Sequence, residues 1–456
     1  MGSGDTVSFV LAIFLLVIYA VVWTLSLIGL RVARNRYSGK SLPSRLSTLP
    51  KTSAPGVTII RPLCGLDNNL FNALEAAMNL EYPKYEVIFA LQDERDEALL
   101  VVKLIMEKYP HVDSRIIIND AKVGVNPKIN NLMMPFAEAK YDLLWVIDAT
   151  IAFTPGTLAR AVATFLGASY SDSSFDSELE STPLLADNTR SPPKAGDVGL
   201  VHHVPYAVTY KKSLGSLVEQ AFLNTTHAKM YLAINALGID SCIMGKSNLY
   251  SKSNIDSLTT PSPSLRKLPD PPTGLAAFSP FMAEDNMIGL SLWHELRLKH
   301  AMTGDVAVDC LGTLSLKDYI ARRSRWIRVR KRMTPIPATM LEPFTESIFG
   351  GLCGTWATSR LFGASVPALW LVHMVAWLSV DLSVRRYLGT NVKGMGPPQG
   401  TAMFVGAWLI REVLAMPVYL YALCGDQVMW RGRRYRIVQS GEAICVDDHR
   451  PDALSH

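Results

Sequence analysis

From Thr6 to Leu30 the chain runs 25 residues without a charged side chain. At 1.5 Å of rise per residue, an α-helix of that length crosses a hydrocarbon core of about 30 Å. Residues 6–30 are therefore expected to span a bilayer. Arg31, Arg34, Arg36 and Lys40 follow at once, whereas only Asp5 is charged before the stretch. Basic residues collect on the cytosolic side, which puts residues 1–5 in a lumen and the domain that follows in the cytosol. A cleaved signal is the competing reading, but the run exceeds a signal's apolar region and no basic residues precede it. The chain has 456 residues, 49% of them hydrophobic, and a positive mean hydropathy, enough for one substantial core and further spans. Its six cysteines show no metal-ligand spacing, in keeping with a reducing compartment.

Residues 31–56 form a basic linker rich in Ser and Pro. Val57-Thr58-Ile59-Ile60 then reads as a buried strand stopped by Arg61-Pro62. Helical patterns follow at Asn69 to Leu80, Ala98 to Lys108 and Ile129 to Ala139, alternating with strands at Tyr85 to Leu91, Arg115 to Ile118 and Leu143 to Ile147. Short apolar strands between amphipathic helices predict an α/β, Rossmann-like domain over 57–334, a parallel sheet with helices on both faces. Residues 168–197, with six acidic and two basic side chains among Ser and Pro, are expected to be a disordered surface insertion. Residues 251–273 read as a second loop, which could border an acceptor entrance.

Ligands of such sheets sit beyond the carboxyl ends of the strands. Asp93 and Asp148 each end a strand there. One carboxylate in that place is an ordinary cap or turn former; two at one mouth point to a nucleotide or metal site. Downstream, Asp285 lies in Met282-Ala283-Glu284-Asp285, and 37 residues on comes Arg322-Arg323-Ser324-Arg325-Trp326. A carboxylate can take a proton, and an Arg fork beside an aromatic face can hold a phosphorylated leaving group and an apolar acceptor. Asp285 alternatively caps the helix that follows it. Between Lys317 and Arg332 there are eight cations interspersed with apolar residues, the pattern of a helix lying on anionic headgroups. Arg328, Arg330, Lys331 and Arg332 are assigned to lipid alone.

Lys128 in Val125-Asn126-Pro127-Lys128-Ile129-Asn130-Asn131-Leu132, Asp148, Ala283-Glu284-Asp285 and Arg322-xx-Arg325-Trp326 occur in an order that resembles the ceramide glucosyltransferases, within the processive-type glycosyltransferases of GT-A fold. Glu81-Tyr82-Pro83-Lys84-Tyr85-Glu86-Val87, Lys122-Val123-Gly124, Gly199-Leu200-Val201-His202 and Trp430-Arg431-Gly432-Arg433-Arg434-Tyr435-Arg436 add to it. Arg322 stands where polymer synthases carry Gln. The resemblance implies an inverting transfer of glucose from UDP-glucose to ceramide, with Asp285 as base. Asp93, Asp148 and Lys128 would bind the nucleotide sugar, and Arg322, Arg325, Trp326 and His227 the diphosphate and acceptor. Asp148 is followed by Ala149-Thr150 and not by a second aspartate; one carboxylate with water and phosphate oxygens can still hold Mg²⁺ or Mn²⁺. The implied partners are UDP-glucose, ceramide and the bilayer, with no nucleic acid. The implied setting is a Golgi or endoplasmic reticulum membrane, crossed more than once, with the catalytic domain in the cytosol. Competing readings are a processive polysaccharide synthase, a transferase using another lipid acceptor such as dolichol phosphate, and a catalytically silent lipid-binding relative.

Residues 335–430 read as interfacial and transmembrane helices, and 431–456 as a tail. Leu361 to Val380 is an uncharged stretch long enough to cross, and Ser347 to Ser359 is half of a hairpin with it or an interfacial helix. Gly400 to Gly425 is interrupted by Arg411-Glu412, charges that face a polar cavity, face each other, or lie at the interface.

Overall fold

The computed structural model describes residues 3–67, 69–167, 193–334, 336–392, 394–397 and 399–447. Most of the acidic insertion, 168–192, lies outside the described residues. The elements in chain order are α1 (Ser3–Tyr37), β1 (Val57–Pro62), α2 (Leu70–Met78), β2 (Tyr85–Leu91), α3 (Ala98–Lys108), β3 (Ser114–Ile118), α4 (Pro127–Ala137), β4 (Leu143–Ile147), β5 (Ile151–Ala152) and α5 (Thr157–Phe165). Then come β6 (Val198–Thr209), α6 (Leu214–Phe222), α7 (Ala228–Leu237), β7 (Ser247–Ser251), α8 (Lys252–Asp256), α9 (Glu284–His294), β8 (Lys299–Leu311) and α10 (Leu316–Met333). The chain closes with α11 (Ile336–Leu341), α12 (Ser347–Phe362), α13 (Val366–Leu388), α14 (Thr401–Leu423) and strands β9 (Gln427–Trp430), β10 (Arg433–Ile437) and β11 (Ala443–Cys445).

The large sheet has the order β3-β2-β1-β4-β7-β6-β8-β5. β3, β2, β1 and β4 are parallel, as their apolar runs predict. The expectation of a wholly parallel sheet is corrected beyond β4: β7 runs antiparallel to both β4 and β6, and β5 antiparallel to β8. After β6 the chain forms α6 and α7 and re-enters the sheet from the same edge, so β7 runs the other way and fills the gap beside β4. Helices cover both faces. Ile59, Val87, Phe89 and Trp145 pack with Leu70, Leu74, Val102 and Val162, whereas Ile60, Ala90, Leu144 and Val146 pack with Ile129, Phe136 and Leu292. Adjacent strand residues thus bury opposite ways, the two-residue period of a sheet enclosed on both sides.

Among the described residues, α1, α13 and α14 are long and apolar enough to cross a membrane. Val7, Phe14, Leu371, Val372 and Val413 are each at least 60% exposed, surface that water would not favour and lipid would. The crossing expected from Leu361 begins instead at Val366. Gly363 takes a left-handed conformation (φ 73°) and ends α12, and Pro367 stands in the first turn of α13. Arg411 and Glu412 are buried, pair with each other, and are met by Glu346 and Ser347 at the start of α12. Of the readings open from sequence, the charges face one another within the helix bundle.

Arg328 and Lys331 do not serve lipid alone. Arg328 donates to the carbonyls of Tyr421, Ala422 and Gln427, and Lys331 to those of Leu423 and Gly425, while Arg330 pairs with Glu342. Cations at a helix C-terminus satisfy its last carbonyls and its dipole, so α10 is fastened to the end of α14. Residues 427–430, expected to close the run of membrane helices, instead form β9, which joins β10 and β11 of the expected tail in a three-stranded antiparallel sheet, β11-β10-β9.

Candidate active site

Asn126 caps α4, its side chain accepting from the backbone of Lys128 (2.7 Å) and Ile129 (3.2 Å), and Pro127 opens the helix. Lys128 therefore stands on the first turn at the carboxyl edge of the parallel strands. Its Nζ is 2.8 Å from Asp148 Oδ1, 3.2 Å from Glu284 Oε1 and 3.2 Å from the Gly245 carbonyl. Asn126 Nδ2 donates to the other oxygen of Glu284 at 2.8 Å. Asp285 lies in the first turn of α9, where Ala283 is the cap residue, so the alternative role of Asp285 as an N-cap is corrected.

Burial, the adjacent Glu284 and, more weakly, Asp148 push the Asp285 carboxyl up to about 6, against the pull of Lys128. Asp148 is half-buried and loses solvation too, but Lys128 and Lys246 outweigh that and hold it below its usual range. Two carboxyls at one mouth are thus driven apart, one ionised and one able to exchange a proton near neutrality. A Cβ at Gly245 would lie 2.9 Å from Asp285 Oδ2, so only glycine leaves this carboxylate its place.

The charges continue in alternation. Lys246 Nζ is 3.8 Å from Asp148 Oδ2 and 3.1 Å from Asp309 Oδ2; Arg322 lies 4.0 Å from Asp309 and 2.9 Å from Glu219. Thr150 Oγ1 donates to Asp309 at 2.8 Å. Beside this row lies a cavity of about 230 Å³ lined by Asp67, Thr150, Asp309, Gly312, Thr313 and Arg322. Arg322 is thus already paired, whereas Arg325 has no ion pair among the described residues. Burial and the neighbouring Arg322 push the Arg325 guanidinium down to about 10, the condition of a cation that an anionic ligand would relieve.

Trp326 sits 6.2 Å from Phe222 and 6.4 Å from His227 between ring centroids, with the Arg322 guanidinium 5.0 Å above it. His227 ends a π-helical turn, Leu223–His227, and stacks on Tyr231 at 5.5 Å. Burial and Arg323 push its ring down to about 3, so it is neutral at physiological pH, and its buried Nδ1 has no hydrogen-bond partner. Asp93 stands apart from the charge row. It is exposed at the end of β2 and is held ionised by hydrogen bonds from Arg95.

The signature of Glycosyl transferase family 21 matches residues 17–170 and 188–444. The chain belongs to this family. A ceramide glucosyltransferase of Komagataella phaffii is 33% identical, covering 94% of this chain and 90% of its own length. Another from Gibberella zeae is 31% identical, covering 93% and 91%. A solved mannosyltransferase from Pyrobaculum calidifontis, in complex with GDP-Man and Mn²⁺, is 16% identical with a TM-score of 0.42, covering 90% of this chain and 99% of its own.

In this family 21 chain the sequence-predicted residues fall into two groups. Lys128, Asp148, Asp285 and Arg322 lie in or against one charge row, with Arg325, Trp326 and His227 on its α6–α10 side; Asp93 sits on the outer rim. Sequence reasoning missed Lys246, Asp309 and Glu219. Asp309 carried the signal used for Asp148, an aspartate at the end of an apolar strand. Lys246 had none, because it begins a strand, and only the reversal of β7 brings a strand's beginning to this edge.

Proposed function

We propose that this chain transfers one glucose from UDP-glucose to the primary hydroxyl of ceramide, with inversion, at the cytosolic face of a Golgi or endoplasmic reticulum membrane. The observation that carries the reading is Asp285, a half-buried carboxyl raised to about 6 beside the Lys128–Asp148 pair. Kinship supports the acceptor and sugar: the curated relatives matched along nearly their whole length bear the name ceramide glucosyltransferase.

Residues 57–334 supply the chemistry in this reading. The acceptor hydroxyl loses its proton to Asp285 as its oxygen bonds to the anomeric carbon, and the bond from that carbon to the diphosphate breaks with its electron pair. Arg325 meets the charge that gathers on the diphosphate, with Lys128, Lys246 and Arg322 completing the cationic side. One acidic side chain at the mouth is available to a divalent cation, since among the described residues no three His, Cys, Asp or Glu side chains gather as ligands. Asp148 is ionised and half-buried at the mouth, and ions such as Mg²⁺ are commonly held by one or two carboxylates together with substrate phosphates. Asp148 would hold Mg²⁺ or Mn²⁺, which when bound neutralises the leaving diphosphate.

Ceramide leaves a bilayer only at about 0.8 kcal/mol per CH₂ exposed. A site joined to membrane helices through α10 lets the soluble donor meet the acceptor without that cost. Trp326, Phe222 and His227 provide an aromatic wall for the acceptor neck. The test is purified protein in lipid with UDP-glucose, ceramide and Mg²⁺ or Mn²⁺, with glucosylceramide followed by mass spectrometry. Transfer to dolichol phosphate or to a growing glycan, with none to ceramide, would sink the assignment.

A further inference from the structure

Trp430 and Arg433 are paired across β9 and β10, leaving Arg431 and Gly432 as a two-residue hairpin turn. Both have positive φ, 47° and 75°. That is the tight turn in which Asn, Asp or Gly is favoured at the first position, and arginine has no conformational reason to stand there. Backbone strain of this kind collects where a side chain is used. The Arg431 side chain is exposed, and its Nη1 is 3.1 Å from Oε1 of Gln92, the residue that precedes Asp93 at the carboxyl end of β2.

The hairpin is firmly held in that position. Glu442 accepts from the hydroxyls of Ser262, Ser264 and Ser440, the Ala443 amide donates to the Pro280 carbonyl at 2.8 Å, and Phe281 bridges Glu442. Its apolar face packs on Val329 and Met333 of α10 and on Met282 and Ala283, just before Asp285. The second loop, Asp285's approach and α10 are therefore all fastened to one small sheet, whose tip reaches Gln92, next to Asp93, at the carboxyl edge of the strands.

The geometry points to Arg431 as a ligand of the nucleoside diphosphate, a cation brought by the C-terminal hairpin to the Asp93 end of the donor site. This deepens the donor reading above and rests on it. An arginine fork suits phosphate oxygens, and an exposed one is desolvated only when the ligand arrives.

Arg431→Asn and Arg431→Gly keep or ease the turn, so loss of binding cannot be charged to misfolding. UDP and UDP-glucose binding to the full chain in nanodiscs is measured by calorimetry, with melting temperature alongside. Expected is a weakening of tenfold or so for both ligands in both variants, with melting unchanged or raised and Arg433→Asn binding as the parent does. Parental affinity in the Arg431 variants, or equal weakening in Arg433→Asn, overturns the assignment. If the parent binds a different nucleoside diphosphate and the Arg431 variants weaken that, the hairpin assignment stands and the UDP donor falls. If the parent binds none, both fall.

Discussion

Lys128 donates to Asp148 at 2.8 Å with the same Nζ that stands 3.2 Å from Glu284. One ammonium thus ties the end of β4 to the first turn of α9, the turn that carries Asp285. Whatever moves Lys128 changes the charge felt by the proposed base and by the proposed holder of the metal–diphosphate.

Removing that cation should move the pH profile. Lys128 lowers the Asp285 pKa, so Lys128→Met is expected to shift the acid limb of the transfer rate to higher pH by about one unit, equivalent to about 1.4 kcal/mol. The check is the rate against pH for parent and variant at saturating donor. An unmoved limb would show that Lys128 does not act on the base.

In the parent, the acid limb should lie near pH 6. Asp285 must be ionised to accept a proton, and its folded value of about 6 is raised from 3.8. Activity is therefore present above about 6 and falls about tenfold per unit below it. A limb near 4 would mean that burial and Glu284 do not act as described.

Gly245→Ala should damage the reaction without unfolding the chain. The new methyl would lie 2.9 Å from Asp285 Oδ2 and displace it, and misplacement by about 1 Å can cost on the order of a hundredfold in rate. UDP-glucose affinity and melting temperature are measured together with turnover. Parental turnover would show that the carboxylate has room to spare.

Between α7 and α13, Lys229 and Asp381 form a fully buried pair at 2.7 Å, with Trp408 donating to Asp381 at 2.8 Å. Asp381→Asn leaves a buried cation, which costs about 3–5 kcal/mol. Its melting temperature in lipid should fall sharply. Lys229→Met with Asp381→Leu should recover much of the loss, and failure of the single variant to destabilise would argue against the pair as a lock.

The parallel half of the sheet was legible because its strands are continuous apolar runs enclosed on both faces, and α1 because 25 residues without a charge are long and apolar enough to cross a membrane. β7 was not legible: Ser247-Asn248-Leu249-Tyr250-Ser251 has no apolar run, and its direction is set by the return of the chain after α7. The β9–β11 sheet was hidden because residues 427–430 read as the end of the membrane helices and the arginines after them as a tail, although Val428, Tyr435 and Ile437 are buried. At the site, Asp148 and Asp285 could be found from position. The pairing of Arg322 with Glu219 could not, since more than ninety residues separate them and only the packing of α6 against α10 brings them to 2.9 Å.

The central claim is that Asp285 is the base, and Asp285→Asn in the full chain in lipid tests it most directly. Asparagine keeps the shape and removes the proton acceptor. It also removes a carboxyl whose ionisation above about 6 works against the fold, so melting temperature at pH 7 should rise. The account predicts glucosylceramide formation lost by at least a thousandfold, with UDP-glucose still bound at near-parental affinity. Turnover within a few-fold of the parent would contradict it.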